Sequence, residues 1–319
     1  MTALLGDIGG TNARFAIDGS PRGDFARSYR CAEFRNLESI VAAYLGTLPD
    51  ELTPRNGAIA VAGPVKGPKA EMTNLPWSID ADRIREHAGL EFLFLVNDFS
   101  AQAMAVPRLG PADVYPLDDL VAEPGAAIAV IGPGTGLGVS ALVPTEDGRF
   151  MPLTSEGGHA TMASRNDDEA AVIEVLAARF RHVSAERVVS GRGIENIHSA
   201  LCEIDGVDDS GLSAAAIADL AVGTTDTRAA KTLDLFCGFL ATAASDLALT
   251  VGARGGVYIA GGIPPRFPGL ITASGLRRRF NDKGRFSDWL SAVPLRIVMH
   301  PSPAFLGLAA LVQDRLRRH

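Results

Sequence analysis

Cysteine is scarce in this chain: Cys31, Cys202 and Cys237 are isolated and odd in number among 319 residues. Such usage argues against a disulfide framework or a Cys-ligated metal and suits a reducing cytoplasm. Long apolar runs are missing as well. No stretch approaches the roughly 18 to 20 consecutive apolar residues that cross a bilayer. Asp7 interrupts the N-terminal apolar run, so nothing there reads as a signal peptide. Basic surface is sparse. The formal net charge is −7, and beyond Arg277-Arg278-Arg279 no Lys/Arg cluster offers the broad face that a nucleic acid needs. The dipeptide Gly-Lys does not occur, which removes a Walker A loop. These absences predict a cytosolic globular protein with neither a nucleic-acid nor a membrane partner. A hydrophobic content of 47% supports packed cores, and 319 residues predict two domains.

Glycine, by contrast, is plentiful, with 34 residues, and two glycine-rich stretches stand out. "LLGDIGGTNARFAIDG" near the start is echoed by "VIGPGTGLGVSALVPTEDG" after residue 130. Each reads as strand, Gly/Thr turn, strand and second turn, the pattern of two related halves. Glycines 132, 134, 136 and 138 recur every two residues, unlike a dinucleotide fingerprint, and "VSALV" leaves the loop as a strand. A strand exit from both loops excludes anion binding by a helix dipole. What remains is a hairpin whose turn amides converge on an anion. Glycine there permits positive φ and close backbone approach, and Thr11 and Thr135 add hydroxyl donors. Two ordinary glycine-rich hairpins are the competing reading; the matched pair favours phosphate. An acidic chain must hold an anionic nucleotide locally, with backbone N–H groups and a divalent cation.

Residues 3–18 and 24–34 read as strands, 36–48 as a helix and 57–63 as a strand. "LEFLFLVND" reads as a buried strand ending at Asp98, with a helix over 100–106. "NDDEAAVIEVLAARF" has Asn166 as N-cap and Glu169 three residues later. A long Ala/Leu-rich helix runs from Asp226 to about Leu249, followed by the strand "GGVYIAGG". "PSPAFLGLAALVQDRL" reads as a helix with Ser302 at its cap and Pro303 in the first turn. Strands alternating with helices predict an α/β fold.

"GDIGGTNARFAI" and "GPGTGLGVSALV" resemble the two phosphate hairpins of the actin, Hsp70 and sugar-kinase superfamily, and "GGVYIAGGIPPRF" resembles its adenosine segment. Within that superfamily the chain is similar to bacterial glucokinases across essentially its whole length. "LVNDFSAQAMAVP", "PLTSEGGHATMA" and "HVSAERVVSGRGI", in family order, carry the resemblance. It implies two ribonuclease-H-like domains flanking a substrate cleft, with 1–108 plus 301–319 as the small domain and 109–300 as the large one. It also implies ATP-dependent phosphorylation of glucose at the 6-hydroxyl with Mg²⁺, in the cytoplasm, by a homodimer. A kinase for mannose or an amino sugar, or a non-catalytic sugar-binding regulator, are the rival readings. The nucleotide would be held by Gly6, Asp7, Ile8, Gly9, Gly10, Thr11 and Asn12, by Gly134, Thr135 and Gly136, and by Gly261 and Gly262. Related ROK sugar kinases and repressors carry a cluster of closely spaced zinc-binding cysteines that this sequence lacks, so no protein-ligated metal is expected.

Phosphoryl transfer to a hydroxyl needs the γ-phosphate held in line, its charge neutralised and the acceptor deprotonated. Asp98 stands where a strand meets a helix, the ligand-binding edge of open α/β sheets, and the family pattern puts the catalytic base there. The competing reading makes Asp98 or Ser100 a helix cap. The resemblance assigns Asn97, Glu156, His159 and Glu186 to the sugar hydroxyls. From the residues alone, "SEGGH" is an ordinary turn and Glu186 a solvated charge. No second His or Cys stands at ligand spacing from His159, which argues against zinc there. Asp7 is expected to orient Mg²⁺-bound water, while Arg14 reads equally as a surface residue. Because ATP is expected elsewhere, Glu186 should affect the sugar alone. Glu195, on a helix expected to face solvent, should be an inert neighbour.

Overall fold

The computed structural model describes residues 2–18, 25–72, 75, 77–223 and 227–317. Gly19 of the first expected turn, the first residue of the strand expected over 24–34, and Asp226 at the head of the long helix lie outside the described residues. The chain divides into two compact units, Met1–Leu109 with His300–His319, and Gly110–Met299. The first unit opens with β1 (Ala3–Ile8), β2 (Asn12–Asp18), β3 (Arg27–Arg30), α1 (Leu37–Leu45) and β4 (Asn56–Val61). It continues through β5 (Val65–Lys66), β6 (Lys69–Glu71), β7 (Ser78–Asp80), α2 (Ala81–Ala88), β8 (Phe92–Asn97) and α3 (Asp98–Ala105). The second begins with β9 (Val114–Pro116), β10 (Ile128–Pro133), β11 (Leu137–Pro144), β12 (Phe150–Ser155), α4 (Asp167–Phe180) and α5 (Gly191–Ile204). After α6 (Ala214–Gly223) and α7 (Thr227–Val251) come β13 (Val257–Ile259), α8 (Pro268–Ala273), α9 (Leu276–Asn281), α10 (Ser287–Ser291) and β14 (Leu295–Val298). The chain then returns to the first unit as α11 (Pro303–Leu316).

In the first unit the sheet order is β3-β2-β1-β4-β8. Strands β1, β2 and β3 are antiparallel neighbours, whereas β1, β4 and β8 run parallel. Side chains alternate across this sheet, and both faces are covered. Leu4, Ile8, Ile59, Val61 and Leu95 pack with Ile40, Tyr44 and Ile84 of α1 and α2. On the other face Ala3, Leu5, Ala58 and Ala60 pack with Ala101 of α3 and Ala304, Leu308 and Val312 of α11. The small residues on this face go with a tight α3–α11 crossing: a Cβ on Gly307 would lie 1.7 Å from the Ala101 carbonyl oxygen. Of the strand expected over 24–34, β3 keeps four residues. The chain then bends into a short 3-10 turn at Cys31–Glu33, where the Cys31 amide donates to Thr11 O at 2.9 Å.

The second unit repeats the same plan. Its sheet order is β12-β11-β10-β13-β14-β9, with β10, β11 and β12 antiparallel and β10, β13 and β14 parallel. Strand β9 adds an antiparallel edge beside β14. The echo between the two glycine-rich stretches is therefore a repeat of strand order and direction. Helix α7 contains an 18-residue window with a mean hydropathy of 1.4 and is by length and composition apolar enough to cross a bilayer, a property that the charges interrupting its sequence hide from a count of consecutive apolar residues. Phe236, Phe239, Leu240, Ala244 and Ala248 bury it in the core of this unit instead.

Asn36, Asp80, Asn166 and Ser190 cap α1, α2, α4 and α5 with their side chains, and two of the caps expected from the sequence differ in detail. Asn166 accepts from the Glu169 amide at 2.8 Å as expected, but the Glu169 carboxylate does not close a capping box. It lies 2.6 and 2.7 Å from Arg279 Nη2 and accepts from the Arg165 amide at 2.7 Å. Ser302 holds the cap position of α11, yet its side chain makes no cap bond; its amide donates to His300 Nδ1 at 3.1 Å.

Candidate active site

In the first unit the parallel strands end level with one another. Ile8 pairs with Val61, and Val61 with Asn97. The first hairpin tip, Gly63 and Asp98 thus share the C-terminal edge of one sheet, where ligands bind in open α/β folds. The tip is tightly tied: Gly9 N donates to Asn12 O at 2.9 Å, and Cys31 Sγ lies 3.6 Å from Gly9 O. Asp7 precedes the tip by one strand residue and pairs in register with Arg14. Part of its surface remains exposed. Its carboxyl is nevertheless deep enough that burial pushes it above the usual carboxylate value, while the Arg14 charge pulls in the opposite direction.

At the end of β8, Asn97 is the cap of α3. Its Oδ1 accepts from the amides of Phe99 at 2.9 Å and Ser100 at 3.2 Å, and its Nδ2 donates to Gly63 O at 3.3 Å. Neither Asp98 nor Ser100 is the cap, and the helix starts at Asp98 rather than residue 100. Asp98 is half-buried in the first turn, with Oδ1 2.9 Å from its neighbouring amide on Phe99.

The second unit gathers most of the other singled-out residues at the matching edge. Strand β10 enters a tip at Gly134, Thr135 and Gly136, and Leu137 starts the return strand. The exit from β13 lies alongside: Ala260 N donates to Ile131 O at 2.8 Å and Ile263 N to Pro133 O at 3.3 Å. Gly261 adopts φ +85°, and a Cβ there would lie 2.4 Å from Pro133 O. Among Gly9, Gly134, Gly136, Gly261 and Gly262, Gly261 alone needs the left-handed conformation. At Gly9, Gly134 and Gly136 glycine therefore does not serve positive φ, and at Gly136 it serves close approach instead. A Cβ on Gly136 would lie 2.4 Å from Glu186 Oε2, and one on Gly158 would lie 2.1 Å from Leu137 O.

The "SEGGH" loop leaves β12, whose Ser155 pairs with Val139, and turns at Gly157–His159. Glu156 and His159 are exposed, and their side chains have no hydrogen-bond or ion-pair partner among the described residues. Ala160 O accepts from Ala185 N at 2.8 Å, which docks the Ala185–Arg187 turn on this loop. Glu186 is not a solvated charge. Its Oε2 accepts from the Leu137 amide at 2.9 Å. Glu195 is not inert either, since its half-buried carboxylate accepts from Ala214 N at 3.0 Å at the start of α6. No spacing rule points to either contact, because both partners come from other elements.

The glucokinase family model matches residues 4–315. The chain belongs to the glucokinase family. The curated glucokinase of Nitrobacter hamburgensis is 46% identical over 315 residues, covering 98% of each chain. That of Chromobacterium violaceum is 42% identical over 98% of this chain and 90% of its own. The crystal structure of glucokinase from an Antarctic psychrotroph superposes with a TM-score of 0.88 at 35% identity, covering 98% of this chain and 99% of that one. A ROK family glucokinase from Streptomyces griseus, solved with glucose and AMPPNP, has a TM-score of 0.64 at 18% identity over 98% and 100% of the two chains. That likeness shows the shared fold alone. The two repeated sheets are the ribonuclease-H-like halves of the actin-like ATPase fold. In this glucokinase-family chain all three cysteines are buried and free. His198 and Cys202, one turn apart on α5 with Nδ1 and Sγ 3.8 Å apart, approach Asp209 as a local His–Cys–Asp group.

Proposed function

We propose that this glucokinase-family chain transfers the γ-phosphoryl group of ATP to the 6-hydroxyl of glucose. Asp98 takes the hydroxyl proton as O6 bonds to the γ-phosphorus. The bond from that phosphorus to the β,γ-bridging oxygen breaks, and ADP leaves with the electron pair. The supporting observation is the place of Asp98 at a sheet edge, in the first turn of a helix whose cap bonds Asn97 already supplies.

Sugar hydroxyls would meet the unpartnered side chains of Glu156 and His159 and the second oxygen of Glu186. Asn97 would offer its remaining Nδ2 hydrogen, since its acceptor is committed to the cap. Phosphates would meet the amides of Thr135 and Gly136, which have no acceptor among the described residues, together with the first tip at Gly9, Gly10, Thr11 and Asn12. Gly262, whose Cβ position opens on nothing within 4 Å, leaves room for the adenosine. Asp7 fits a water-held Mg²⁺, because a desolvated carboxylate gains from a nearby cation. That ion would neutralise phosphate charge. A cytoplasmic homodimer completes the reading, on the family resemblance, and sedimentation velocity tests the dimer.

Asp98→Asn should lower kcat on the order of a hundredfold or more while the glucose dissociation constant changes little. Turnover near the parent value, in an assay that follows glucose 6-phosphate by mass, would remove Asp98 from the base role.

A further inference from the structure

The second hairpin tip spends two of its amides internally. Gly134 N donates to Gly136 O at 2.8 Å, and Leu137 N donates to Glu186 Oε2 at 2.9 Å. A Cβ on Gly136 would lie 2.4 Å from the same oxygen, so a side chain there would push the carboxylate aside. The segment carrying Glu186 clasps the tip a second time, where Gly191 N, the first amide of α5, donates to Gly134 O at 2.8 Å. Its own backbone is fixed by Ser190 Oγ, which donates to Glu186 O at 2.8 Å and accepts from Gly193 N at 2.9 Å. A fixed carboxylate thus holds the tip from one side, leaving the amides of Thr135 and Gly136 for an anion.

This contact has two opposed electrostatic effects. As an acceptor for Leu137 N, the carboxylate orders the tip and preorganises its free amides. As a negative charge beside an anion site, it repels the phosphates it helps to receive. A hydroxyl donating to the second carboxylate oxygen disperses that charge without releasing the Leu137 amide.

We propose that Glu186 is a positioning residue of the second phosphate hairpin, and that a sugar hydroxyl on its other oxygen makes nucleotide binding tighter when the sugar is present. The brace rests on geometry within the second unit; the sugar dependence rests in addition on the sugar-reading role proposed above for Glu186.

The test is calorimetric titration of AMPPNP, with and without glucose, into the parent protein, Glu186→Gln and Glu186→Ala. Glutamine keeps an oxygen acceptor for Leu137 N and loses the charge; alanine loses both. Without sugar, the Ala variant should bind AMPPNP on the order of tenfold or more weakly than the parent, and the Gln variant as well as the parent or better. Glucose should tighten AMPPNP binding in the parent and not in the Gln variant. Should the Ala variant unfold, Gly136→Ala replaces it, because its methyl group would displace the carboxylate while leaving Glu186 in place; it too should weaken sugar-free AMPPNP binding. Exposed Glu174 of α4 supplies the control as Glu174→Gln, with parental values throughout.

Sugar-free AMPPNP affinity equal in the parent and Ala variants, or no better in Gln than in Ala, overturns the brace even if glucose affinity falls. Parental glucose affinity in all variants, with AMPPNP affinity altered, removes the sugar reading and the coupling while the brace stands.

Discussion

At Asp7, burial holds the folded carboxyl above its ordinary value of 3.8. The sign follows from linkage. A raised folded pKa favours the protonated form, so its stabilisation is fully present below pH 3.8 and is lost as pH rises through the folded value. Asp7→Asn is neutral at every pH. Its Tm should exceed that of the parent at about pH 7.5 and lose the advantage by about pH 3.5, in a thermal-shift series across that range. Turnover with ATP should fall in the same variant, because functional charges are commonly held at a cost in stability. A lower Tm at neutral pH would show that Asp7 is a structural partner of Arg14 instead. Glu195 teaches a related lesson: a charge on an amphipathic helix looks inert until the next helix start is found resting on it.

Two adjacent glycines test the elements around the nucleotide edge. Gly261→Ala combines φ +85° with a Cβ 2.4 Å from Pro133 O; it should cost about 2 kcal/mol or more by urea denaturation. Gly262→Ala meets nothing within 4 Å and should stay within ~0.5 kcal/mol of the parent. A larger Gly262→Leu side chain should instead weaken ATP binding, read as a rise in ATP KM with stability retained. At the α3–α11 crossing, Gly307→Ala places a methyl 1.7 Å from the Ala101 carbonyl oxygen. Forcing these helices apart should lower stability by about 1–3 kcal/mol or more. A neutral Gly307→Ala would mean that the crossing yields without loss of packing.

Across the whole molecule, the two units carry separate buried clusters, one around Leu4, Ile59 and Tyr44, the other around Phe239, Leu240 and Ile131. Leu4→Ala should cost about 2–5 kcal/mol and Phe239→Ala about 3–5 kcal/mol. By scanning calorimetry each should displace its own transition. A single transition moved equally by both would show that the clusters unfold as one cooperative unit. The part-buried Glu169–Arg279 pair belongs to the second cluster's surroundings. It joins residues 110 apart in sequence.

Backbone periodicity and turn chemistry are encoded locally. The two Gly/Thr hairpins, the strand running up to Asp98, the Asn166 cap, the α/β alternation and the family motifs all depend on residues close in the chain. Twofold repetition was visible there too, since a repeated strand–turn–strand unit leaves a repeated composition. Tertiary structure decided which polar groups meet. Glu169 meets Arg279 across 110 residues, Glu195 receives the Ala214 amide, and Glu186 reaches Leu137 across 49 residues. Charged and amide side chains bind whichever complementary atom the packing brings within about 3 Å. Strand pairing and helix docking set that proximity, and no local pattern records it.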